Sequence, residues 1–217
     1  MKNSKLTPLQ MDFLAAFFRR ERRFFLTGGA ALAGFHLGHR ETHDLDLFTV
    51  QDILNEGTSE ISAVARELGA AVESIQTAPD FRRFLLQRAG EGILIDLVRD
   101  RVVQLVSEKT VIDGIRIDSP EEILANKLCA LLSRAEVRDL VDVHALEAAG
   151  YLVEEAIQAA ARKDAGLTAA QLGWILSQIR LGPDLAPPGG ISRMELQQYL
   201  DELVKRLARL AYPFSEV

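Results

Sequence analysis

The sequence predicts an α/β (α+β) chain: a half that mixes strands and helices, followed by a half that is helical throughout. Three observations carry this. Short apolar β-type runs alternate with helix-spaced segments up to about residue 118. The texture then changes at Ser119-Pro120-Glu121-Glu122, where a serine N-cap, a first-turn proline and two acids make a strong helix start. Beyond it every periodic segment has helical spacing. A length of 217 residues suits one large domain, or one domain with a helical appendage.

The elements follow in order. MKNSKLTPLQMDFLAAFFRRERR reads as an amphipathic helix; its short apolar stretch is bounded by Asp12 and Arg19 and lacks a signal-peptide cleavage pattern. Phe24 to Thr27 is a short strand ending at Gly28-Gly29, and Ala30 to Leu37 a helix closing at Gly38. Leu45 to Val50 is a strand. Ser59 to Leu68 carries Ile61, Val64, Ala65 and Leu68 at helical spacing and stops at Gly69. Val72 to Thr77, Phe84 to Arg88 and Ile93 to Val98 are strands, and Thr110 to Ile117 alternates about an Asp113-Gly114 turn. Helices are predicted over 120–133, 137–149, 152–163, 168–181 and 192–210, with Gly182 to Gly190 as a linker.

Composition excludes several classes. With 48% hydrophobic and 26% charged residues the chain is neither disordered nor fibrous. No apolar run approaches the ~18 residues of a membrane span. The lone Cys129 rules out an internal disulfide and suits a reducing cytoplasm, which is the expected location. A net charge of −6 argues against nonspecific coating of nucleic acid. The arginine clusters Arg19, Arg20, Arg22, Arg23 and Arg82, Arg83, Arg88 read as solvated surface. His36, His39 and His43 are interrupted by Gly38 and lack the fixed geometry of a zinc site. Cys129 and Trp174 read as core residues.

Three carboxylates stand out. Asp44 and Asp46 lie two apart on one predicted strand, so both project from the same face. Aspartate is depleted in strands, and neighbouring like charges repel, so a hard divalent cation between them is the natural explanation. Asp96 is a single charge inside the apolar strand Ile93-Leu94-Ile95-Asp96-Leu97-Val98. The Gly28-Gly29 turn, leading from strand into helix, could admit a phosphate to its backbone N–H groups, although glycine there has structural uses too. Neither a dinucleotide fingerprint nor a Walker loop is present.

These motifs resemble the nucleotidyltransferase, or polymerase-β-like, superfamily, and within it the AbiEii/AbiGii toxin family. The likeness runs over about residues 20–150. It is carried by TGGAALA, by HLGHRETHDLDLF, by ILIDLV, and by the helix of Glu122 to Arg134 containing Lys127, followed by Arg138-Asp139-Leu140-Val141-Asp142. The resemblance implies a nucleotidyltransferase-fold mixed-sheet core over 1–118 and a helical C-terminal region over 119–217 that completes the active site. It implies transfer of an NMP from an NTP to an acceptor hydroxyl, with two Mg²⁺ ions held by Asp44, Asp46 and Asp96. Gly28, Gly29, Arg40 and Lys127 would meet the triphosphate, and Asp139 would lie in the active site. Loss of Asp139 is then expected to lower turnover and leave thermal stability nearly unchanged. The acceptor implied is RNA, tRNA in particular, and the partner a cognate antitoxin; no membrane is involved. Two other readings stay open: transfer to a small molecule of the aminoglycoside type, and a non-catalytic NTP-binding protein of the same fold.

Overall fold

The computed structural model describes residues 5–212. The chain divides into two compact units, the boundary falling between Ser119 and Pro120.

The first unit opens with helix α1, Pro8–Arg20, started by a capping box between Thr7 and Gln10. Its buried face is aromatic: Phe17 lies 5.7 Å from Phe13, 5.6 Å from Phe18 and 5.7 Å from Phe24, ring centre to ring centre. Strand β1, Phe25–Thr27, runs directly into α2, Gly28–Ala31, which continues as a π-helical turn over Leu32–His36. Strand β2, Asp44–Thr49, and helix α3, Leu54–Leu68, follow. Next come β3, Ala71–Ala78, β4, Phe81–Arg88, and β5, Glu91–Arg99. The hairpin β6, Thr110–Ile112, and β7, Ile115–Ile117, completes the unit. Asp113 at φ 51° and Gly114 at φ 81° make its turn, which the sequence had signalled.

The seven strands form one mixed sheet in the order β3-β4-β5-β2-β1-β7-β6, with β2–β5 and β1–β7 parallel and the other pairs antiparallel. Strand β2 alternates strictly: Leu45, Leu47 and Thr49 are buried, while Asp44, Asp46 and Phe48 are partly exposed on the other face. The apolar face packs against helix α3, where Gly57 sits directly on Phe24 and Leu97. That glycine made the start of α3 illegible: the sequence places its N-terminus at Ser59, five residues late.

The second unit is helical. It comprises α4, Pro120–Ser133, α5, Val137–Ala148, α6, Val153–Lys163, α7, Ala169–Ser177, and α8, Arg193–Ala211, with a 3₁₀ turn at Pro188–Gly190. Helix α7 ends at Ser177, four residues short of the prediction. Its core is built from Ile123, Leu124, Leu128, Leu131, Leu140, Val143, Leu146, Leu172, Leu176, Leu196, Leu203 and Leu207. Two sets of charges are buried with these. Lys163 pairs with Glu122, and Lys127 lies between Asp139 and Asp142. Trp174, read from sequence as core, is 59% exposed on α7.

Candidate active site

Register places the three carboxylates of the first unit. Asp46 is the direct partner of Asp96 across the parallel β2–β5 pair, and Asp44 stands two residues before Asp46 on the same face. Paired residues of adjacent strands project to the same side, so all three lie on the sheet face opposite α3. The same transverse row extends outward to Thr27 on β1 and to Arg83 on β4.

Arg83 was missed by the sequence reading, which left it among solvated arginines. Its guanidinium grips Asp96 with two hydrogen bonds, Nε to Oδ1 at 2.8 Å and a terminal nitrogen to Oδ2 at 2.6 Å. Those bonds hold the Arg83 pKa above its ordinary value against the opposing effect of burial, and the charges of Asp96, Asp44 and Asp46 add to the rise. A signal for this pairing was present. Ala89 at φ 52° and Gly90 at φ 85° form a two-residue hairpin turn, and counting back from it brings Arg83 opposite Asp96.

The glycine turn abuts the same place. Gly28 has φ +63°, and a Cβ there would lie 2.5 Å from Oδ2 of Asp46. A Cβ on Gly29 would lie 2.6 Å from the Arg40 guanidinium. Gly28 is required by its left-handed backbone, and both glycines bring the backbone close to the protein's own side chains. Gly28, Gly29, Arg40 and Asp46, singled out separately by the sequence, are neighbours. Arg40 is buried and donates to the carbonyl of Glu41.

The turn rests on a buried polar network that sequence reasoning missed. Thr27 Oγ1 donates to Asp118 Oδ2 at 2.7 Å, and Lys109 Nζ donates to Asp118 Oδ1 at 2.7 Å. The same ammonium bonds Gln104 Oε1 and the Val106 carbonyl, and lies 4.5 Å from the centre of the Phe25 ring. Nε2 of His36 lies 2.8 Å from the Asp118 carbonyl. Strand β1, the residue before the glycines and the end of the following helix are therefore tied to one aspartate.

In the second unit Lys127 and Asp139 meet each other. Lys127 Nζ bonds Asp139 at 2.7 Å and Asp142 at 2.6 Å, and Arg134 also holds Asp139. Burial pushes the Lys127 pKa down, but the charges of Asp142 and Asp139 outweigh it and the value is raised. Burial pushes the Asp139 carboxyl up, yet hydrogen bonds from Arg134 and the charge of Lys127 hold it below its ordinary value. Arg138 bonds Glu136 at 2.6 Å. Cys129 is half-buried, with its Sγ 3.6 Å from the Ala160 carbonyl.

The carboxylate trio suits a divalent cation in its donor chemistry and in its common face: hard oxygens, with a glycine backbone leaving room beside Asp46. Among the described residues no three His, Cys, Asp or Glu side chains are drawn together closely enough to hold a metal ion as they stand. Asp96 is turned to Arg83 instead.

A family model described as nucleotidyl transferase AbiEii toxin, Type IV toxin–antitoxin system, matches residues 12–211. The chain belongs to the AbiEii family. It is accordingly a nucleotidyltransferase of the toxin class. JHP933 from Helicobacter pylori superposes with a TM-score of 0.60 at 21% identity, over 94% of this chain and 93% of that one. A candidate nucleotidyltransferase from H. pylori gives 0.58 at 19% identity, over 93% and 94%. At these identities both likenesses speak to the fold. The antibiotic-resistance factor ANT(2'')-Ia reaches 0.47 at 19% identity, over 70% and 86%. No curated protein matches the sequence. Among the described residues no helix is long and apolar enough to cross a membrane.

Proposed function

We propose that this AbiEii-family protein transfers an NMP from an NTP to a hydroxyl of RNA, with tRNA the first acceptor to test and a cognate antitoxin as its partner. The supporting observation is the placing of Asp44, Asp46 and Asp96 on one sheet face, with the Gly28 turn against Asp46. In this reading the acceptor oxygen bonds to the α-phosphorus, the bond from that phosphorus to its bridging oxygen breaks, and pyrophosphate leaves. Asp96 takes the proton released by the hydroxyl. The backbone of Gly28 and Gly29, with Arg40, holds the triphosphate. Asp44, Asp46 and Asp96 would hold Mg²⁺, which when bound neutralises charge on the attacking and leaving oxygens. Lys127 and Asp139 enter the proposal from the family likeness alone, as residues whose loss lowers transfer.

The test is to incubate the purified protein with each α-labelled NTP, Mg²⁺ and total tRNA, alongside a panel of aminoglycosides. Label on tRNA that disappears with Asp46→Asn supports the proposal. Label only on a small molecule would replace the acceptor, an outcome that the net charge of −6 favours. No transfer to either acceptor by folded protein would refute the reading.

A further inference from the structure

Arg83 occupies an unusual position. It is the register partner of Asp96, which is in turn the partner of Asp46, so a cation and two carboxylates stand in one row across three strands. Both oxygens of Asp96 accept from it. About a third of the Arg83 side chain is exposed, against 8% for Asp96, so water reaches its guanidinium. The Phe81 ring, centred 5.5 Å from the guanidinium carbon, offers it another partner.

We propose that Arg83 is a built-in competitor for the cation, occupying Asp96 in the free protein and keeping metal affinity low until Asp96 is released. The proposal rests on the reading of Asp44, Asp46 and Asp96 as the metal-holding set. Its physical basis is Coulombic. A fixed positive charge beside the carboxylates opposes every cation that approaches them, and the effect is large where water is partly excluded. Arg83 is a positioning residue here, acting through Asp96. If it only oriented Asp96 for the metal, its loss would weaken binding; if it competes, its loss strengthens binding.

The experiment measures Mn²⁺ binding by the full chain without nucleotide, following free Mn²⁺ by electron paramagnetic resonance. Arg83→Met, which keeps the length of the stem and removes the charge, should bind Mn²⁺ at least about tenfold tighter than the parent protein. Arg83→Lys, which restores the charge, should return affinity toward the parent value. Equal or weaker binding by Arg83→Met overturns the proposal. A second measurement needs no variant: the Arg83 Nε–H resonance of the parent protein should move to the position of a free arginine as Mg²⁺ is added. A resonance unmoved at saturating Mg²⁺ also overturns it. Asp46→Asn separates the two readings. Mn²⁺ binding that survives this change places the ion elsewhere and removes the carboxylate reading itself. Binding that is lost with Asp46→Asn yet unchanged by Arg83→Met removes only the competitor.

Discussion

Asp46 and Asp96 face each other directly across two parallel strands, and no ladder gains from two like charges in that position. Neutralising Asp46, which leaves the Arg83–Asp96 pair in place, should therefore cost the fold little. Asp46→Asn is expected to abolish NMP transfer at saturating Mg²⁺ and to leave the thermal midpoint unchanged or raised. Unfolding curves and turnover measured on the same preparation check both halves, and parent-level turnover would remove Asp46 from the reaction.

Gly28 should tolerate no side chain. Alanine at φ +63° carries about 1–3 kcal/mol of backbone strain, and its methyl would press on the Asp46 carboxylate. Gly28→Ala should lower the denaturant midpoint accordingly and depress turnover further than the stability loss accounts for. A variant with both values unchanged would show that the turn relaxes freely.

The Lys109–Asp118 pair lies almost wholly out of solvent. Lys109→Met leaves an uncompensated buried carboxylate and should cost about 3–5 kcal/mol. The double variant Lys109→Met, Asp118→Asn should recover part of that loss, because the stranded charge is gone. Thr27→Val removes one hydrogen bond, worth about 0.5–1.5 kcal/mol, and should raise the KM for NTP more than it lowers stability. Additive effects in the Lys109–Asp118 cycle would contradict direct coupling.

The helical unit should carry a pH signature from Lys127 and Asp139. Asp139 has a lowered pKa, so its contribution is present above the unfolded carboxylate value of about 3.9 and is lost as pH falls through the folded value. Lys127 has a raised pKa, so its contribution is complete below about 10.4 and is lost as pH rises through the folded value. Asp139→Asn should flatten the acid limb of a plot of denaturant midpoint against pH; an unaltered acid limb would contradict the assignment. Burial also revises the expectation for Asp139→Ala. Removing one partner of this buried cluster should cost about 3–5 kcal/mol, so turnover must be measured per folded molecule.

Much of this was legible because it depends on local chemistry. Asp113-Gly114 marks a hairpin, Gly69 caps α3 at φ +62°, and Asp44 and Asp46 share a face by the period of a strand. What sequence pattern alone did not convey is register. The opposition of Asp46 and Asp96 joins parallel strands far apart in the chain, and no turn fixes it. The Arg83–Asp96 and Lys109–Asp118 pairs were closer to reach, since each spans a two-residue hairpin turn whose placement fixes its partners. The arginine was passed over because it stands in a cluster with Arg82 and Arg88 that reads as surface charge; the lysine, because it sits outside any strand.

A glycine inside a helix usually invites improvement, since alanine in its place gains about 0.5–1 kcal/mol. At Gly57 that rule reverses. A methyl would stand 2.7 Å from the Phe24 ring and 2.9 Å from Leu97, two side chains with no exposed surface to yield. The helix rides on the sheet at a separation that only a missing side chain permits. Any programme that hardens this enzyme by replacing helical glycines must leave position 57 alone, and mutational drift in relatives that keep this packing will find the same position closed.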